Sequence, residues 1–99
     1  MNVVIRELLE GTELLAQLAE ETAELGKAAL KLRRAIDGTN PTPISVEEAF
    51  GNFEEEIVDV LLCLDVLGYD LQELSKYRGI MDGKRERWVN RLRKAENGS

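Results

Sequence analysis

The chain has 99 residues, with nineteen acids against thirteen Lys and Arg, a net charge of −6 and a pI near 4.7. That is one domain's worth of sequence, and its acidity argues against a general nucleic-acid binder, which needs a basic footprint to displace phosphate counterions. With no His and one cysteine, Cys63, it has no Ser-His-Asp or Cys-His catalysis, no His-ligated zinc and no disulfide within the chain.

The first ten residues carry Arg6, Glu7 and Glu10 where a signal peptide needs an apolar stretch, and no apolar run approaches a membrane span. A soluble, cytoplasmic protein is expected. Ala, Leu, Glu, Lys and Arg dominate, no alternating strand pattern occurs, and both prolines, Pro41 and Pro43, fall in one loop-like stretch at 38–44. The class is all-α, an antiparallel helical bundle, with residues 1–96 as a single helical domain and 97–99 as a frayed tail.

In chain order, a short helical entry is expected over Val3–Glu10. A long helix follows over Thr12–Ile36, stopped by Gly38. A second helix starts at Ser45, whose Ser-Val-Glu-Glu run is a capping-box pattern, and it ends before Gly68. A third is expected to be capped by Asp70 and to run from Leu71 to Ala95, interrupted or bent near Gly79 and Gly83.

On the first long helix, Leu14, Leu18, Glu21, Leu25, Ala28, Leu32 and Ala35 follow a 4-3-4-3 spacing that lays one stripe along one face. Glu21 therefore interrupts an apolar seam, with Glu24 one turn on at its edge beside Gln17 and Lys31. In Ile57–Leu67 nine of eleven residues are apolar, covering nearly the whole circumference, so burial between other helices is expected. Asp59 interrupts that run, and Glu56 stands one turn earlier on a stripe with Asn52 and Cys63, with Glu55 beside it.

Carboxylates in apolar seams must protonate, pair with Lys or Arg, or bind a cation. The segment from Ala35 to Ser75 holds ten acids and no Lys or Arg, whereas Lys76–Lys94 holds eight basic residues and two acids. Solvated helix faces account for such runs; so does an acidic metal site facing a basic phosphate site. If a cation is bound, oxygen-only ligation points to Mg²⁺, with Mn²⁺ as a substitute.

Leu18-Ala-Glu-Glu-Thr-Ala-Glu-Leu25, followed by Glu54-Glu-Glu-Ile-Val-Asp-Val-Leu61, resembles the paired E-E-x-x-E and E-x-x-D motifs of the MazG-like all-α NTP pyrophosphohydrolases. The resemblance spans Leu14–Leu92. It implies Glu21, Glu24, Glu56 and Asp59 as Mg²⁺ ligands and Glu20 or Glu55 as general base. The segment Asp82-Gly-Lys84-Arg-Glu-Arg87 is similar to the family's N-x-K-x-x-R, implying Lys84 and Arg87 as phosphate contacts, with Asp82 standing where Asn is usual. The 31 residues between Glu24 and Glu56, which include the Pro41/Pro43 loop, make a long connection for the family.

The implied reaction releases pyrophosphate from a nucleoside triphosphate, and the implied assembly is a homodimer or tetramer that completes the bundle. Gln17 and Lys31 flank the first carboxylate pair, as candidate substrate contacts or as ordinary boundary residues of the stripe. Trp88 is a candidate for base stacking or interface packing, and Cys63 reads as a small buried apolar residue. The competing reading is a non-catalytic helical association module of the same fold.

Overall fold

A computed structural model of the chain describes residues 1–39 and 43–98. Those residues are all-α: helices α1 (Asn2–Leu8), α2 (Gly11–Asp37), α3 (Val46–Val66) and α4 (Arg78–Gly98), one 3-10 turn (Ser75–Tyr77), and no strand. They fall into two compact units, Met1–Tyr69 and Asp70–Ser99.

The first unit is a helical hairpin with a short helix added. The 4-3-4-3 stripe of α2 is the face it turns inward. Leu14 and Ala28 are buried, and Leu18, Glu21, Leu25, Leu32 and Ala35 are half-buried. This face packs along α3, where Ala49 and Val66 are buried. Both helices end as their glycines require. Gly38 and Gly68 take positive φ (77° and 104°), and the following amides, Thr39 and Tyr69, donate back to the Arg34 and Leu64 carbonyls at 3.0 and 3.1 Å. This 6→1 closure satisfies carbonyls that a bare helix end leaves unpaired. At the start of α3, the Ser45 hydroxyl accepts from the Glu48 amide at 3.0 Å, as the capping-box pattern predicts.

The short α1 is fastened to the far end of α3. Asn2 Nδ2 donates to Asp65 Oδ2 at 2.6 Å, and Arg6 Nη1 donates to the Val66 carbonyl at 3.0 Å. The guanidinium therefore sits at the negative end of the α3 dipole and occupies a terminal carbonyl.

The expected enclosure of Ile57–Leu67 is not met within the described residues. Val66 is buried, but Val58, Leu61 and Leu62 are exposed, because α2 and α1 cover only part of the α3 circumference.

In the second unit the helix starts later than Leu71. Asp70 Oδ1 accepts from the Gln72 amide at 3.0 Å, and Glu73 accepts from the Ser75 amide at 3.1 Å and from the Ser75 hydroxyl. These local side-chain acceptors satisfy the backbone in turn conformations and compete with the helix. From Arg78 the helix runs unbroken through Gly79 and Gly83 to Gly98, past the expected end at Ala95, and none of its residues is buried. Of the loop over 38–44, residues 40–42 lie outside the described residues, as does Ser99 of the expected tail.

Candidate metal centre

Two helices supply the acids. On α2 the i, i+3 spacing puts Glu21 and Glu24 on neighbouring positions of the face turned to α3, and Glu56 and Asp59 answer them from α3. The side chains of Glu21, Glu56 and Asp59 converge: one carboxylate oxygen from each lies within 4.8 Å of the other two. Oxygens this close can share one divalent cation, and an all-oxygen donor set suits a hard ion such as Mg²⁺. The three acids come from parts of the sequence more than thirty residues apart, and only the hairpin unites them.

The electrostatics record this crowding. Partial desolvation raises the Glu56 carboxyl above its ordinary value, and the charges of Asp59, Glu21, Glu24 and Glu55 add to the rise. The Cys63 thiol is raised by burial, with Glu21 and Asp59 adding to it. Cys63 is half-buried and reduced, close to the packing role expected of it. No charged group is buried among the described residues. The hairpin thus holds the acids at the half-exposed edge of its seam, where water softens the penalty that full burial imposes.

Glu24 stands outside the converging three. Its Oε1 pairs with Lys27 Nζ at 3.5 Å, and its carboxylate lies near enough to Glu56 to raise it. Gln17 turns its amide to Glu21, donating to Oε1 at 2.8 Å, and so orients a converging carboxylate. Glu20 is exposed on α2, away from the cleft described next.

Beside the three acids a cleft of about 200 Å³ opens between α2 and α3. Glu24, Lys27 and Lys31 line it from α2, and Asn52, Glu55 and Glu56 from α3, with Ile44 from the approach to α3 at its rim. Lys31 and Glu55 were expected near the site from their spacing. The placement of Lys27 was legible only as one turn after Glu24, and Ile44 carried no signal, since its position depends on how the chain returns from the loop.

In the second unit, Asp82 Oδ1 accepts from Arg85 Nη1 at 2.8 Å and lines a hollow between residues 71–75 and the start of α4. Lys84 and Arg87 are exposed and share a patch of α4 with Trp88, Asn90 and Arg91.

Fold and site together define a small all-helical domain with a surface cluster of acidic residues capable of coordinating a divalent cation. Comparison with protein-family models, with curated proteins and with solved structures finds no match to the chain. Among the described residues no helix is long and apolar enough to cross a membrane.

Proposed function

We propose that this chain is a Mg²⁺-dependent nucleotide pyrophosphohydrolase of the MazG-like kind, acting in the cytoplasm as a homodimer or tetramer and cleaving a nucleoside triphosphate to its monophosphate and pyrophosphate. The convergence of Glu21, Glu56 and Asp59 across the α2–α3 hairpin carries this reading. A divalent cation there supplies charge neutralisation for a polyphosphate and a polarised water.

The chain's own groups have distinct tasks. Glu21, Glu56 and Asp59 would hold the ion, Glu24 would join them at the cleft edge, and Gln17 orients Glu21 through its amide. Glu55 lines the cleft whereas Glu20 does not, so Glu55 is the better placed to take a proton from the attacking water. Lys27 and Lys31 give the same cleft a cationic side toward phosphate oxygens. Lys84 and Arg87 are assigned to the leaving pyrophosphate on the strength of the motif.

The experiment is a pyrophosphate-release screen over ribo- and deoxynucleoside triphosphates with Mg²⁺, Mn²⁺ or EDTA. Release that needs the cation and is lost in Glu56→Gln, with helix content unchanged, supports the enzyme. Silence across the panel favours the second reading, a non-catalytic association module. That reading draws on the exposed apolar residues of α3 and α4, which suit a chain built to meet partners.

A further inference from the structure

The second acid of α2 already has a partner. Glu24 stands outside the converging three, and its Oε1 lies 3.5 Å from Lys27 Nζ, one turn further along the helix. With about 100° of rotation per residue, Glu24, Lys27 and Lys31 fall within roughly 60° of arc. One strip of α2 therefore lines the cleft with a carboxylate and two ammonium groups.

Charge in this corner of the hairpin is unbalanced. Glu21, Glu24, Glu55, Glu56 and Asp59 bring five carboxylates to the cluster and the cleft, and among the described residues Lys27 and Lys31 are the cations that line it. Helix α3 has no other to offer, because Ala35–Ser75 contains no Lys or Arg. Of the two lysines, Lys27 is the one engaged with an acid. The engagement is loose, since the Lys27 side chain is 72% exposed and that of Glu24 48%. An ion pair so open to water contributes little, so Glu24 can exchange it for a better partner at small cost. A doubly charged hard cation shared with Glu21 and Glu56 is a better partner for a carboxylate than one solvated ammonium. The ammonium that Glu24 gives up stays tethered beside the same cleft, one turn before Lys31.

We propose that Lys27 is an exchangeable counter-ion of the candidate metal centre: it holds Glu24 in the absence of a divalent cation, yields Glu24 when one binds, and then turns to a phosphate oxygen. The proposal rests on the metal-dependent reading above and adds an order to it. Lys27 opposes the cation while the cleft holds no anion and favours it once an anion has taken the ammonium. By linkage the coupling is reciprocal, so cation and polyphosphate each tighten the other.

The signature is a pair of opposite effects in Lys27→Met, which a merely structural role would not produce. Mn²⁺ binding to the full chain is read from the loss of the free-ion paramagnetic resonance signal, and inorganic pyrophosphate binding by calorimetry at saturating Mg²⁺. Lys27→Met should tighten Mn²⁺ about threefold, the size of one exposed ion pair. It should weaken pyrophosphate about threefold or more, through loss of a charge-assisted contact. In a Glu24→Gln background Lys27→Met should no longer tighten Mn²⁺, because the exchange runs through Glu24; the four chains form a double-mutant cycle. A parent chain that binds no Mn²⁺ overturns both the exchange and the metal-dependent reading. Mn²⁺ affinity unchanged or weakened in Lys27→Met overturns the exchange alone, as does the same gain with or without Glu24, which is plain repulsion between Lys27 and the ion. Unchanged pyrophosphate affinity in Lys27→Met also overturns it.

Discussion

Helices α2 and α4 are of comparable length and both rich in charge, yet they meet different fates. The stripe of α2 is used: Leu14 and Ala28 are buried against α3, and every other position of the stripe is at least half-buried. The stripe of α4 is not used by the described residues, and Trp88 and Leu92 stand largely in solvent. Periodicity identifies a helix and its sticky face, but burial needs a second surface of matching shape and charge. In the hairpin that surface also brings the acids of α2 and α3 together, so packing and the acidic cluster arise from the same contact. On α4 the basic residues form a patch without such a scaffold.

The sharpest way to break this comparison is to move charge in each region and follow activity. Glu56→Gln should lower Mg²⁺-dependent pyrophosphate release at least about 100-fold, since even an outer partner of a metal ligand typically costs roughly 10–100-fold. Equal activity in variant and parent would remove the hairpin's claim to the chemistry.

A stability pair comes next. Leu14→Ala removes a buried side chain from the hairpin and should cost about 2–3 kcal/mol in urea unfolding. Leu92→Ala, measured at concentrations where the chain is monomeric, should stay within about 0.5 kcal/mol. Equal costs at the two leucines would show that α4 has a partner within its own chain.

What the sequence made legible divides along the same line. The limits of α2 and α3 follow from local chemistry, a Ser45 cap and two glycines at positive φ, and these act whatever else the chain does. Glu21 and Asp59 were visible because each breaks an apolar rhythm, and Glu56 because it stands one turn before Asp59. Two features were not visible. The start of α4 depends on whether Asp70 and Glu73 bond their own backbone or cap a helix, and that balance is a matter of a few hydrogen bonds. The exposure of Val58, Leu61 and Leu62 depends on how much of α3 the neighbouring helices reach, which no periodicity in α3 itself encodes.

The basic patch gives a smaller effect. Lys84→Ala and Arg87→Ala should each lower kcat/KM about tenfold, corresponding to ~1.4 kcal/mol of transition-state binding, while leaving thermal stability unchanged because both side chains are exposed. Full activity in the double variant would assign phosphate binding to Lys27 and Lys31 alone and confine the chemistry to the hairpin.

The smallest effect separates two carboxyls of the hairpin by the sign of their pH dependence. Glu56 is raised in the fold by desolvation and by its acidic neighbours. Its favourable contribution is therefore complete below its unfolded value and is lost as pH rises through the raised one. Asp37 is lowered, first by the Thr39 hydroxyl and then by the Thr39 amide, so its contribution is present above its unfolded value and lost as pH falls through the lowered one. In EDTA the thermal midpoint should accordingly pass through a maximum near the ordinary carboxylate range. Glu56→Gln should flatten the decline on the neutral side and Asp37→Asn the decline on the acid side. Mg²⁺ should flatten the neutral side as Glu56→Gln does, because a cation among Glu21, Glu56 and Asp59 relieves the same repulsion as a proton on Glu56. A neutral-side decline that persists in Glu56→Gln and is indifferent to Mg²⁺ would place its origin outside the acidic cluster.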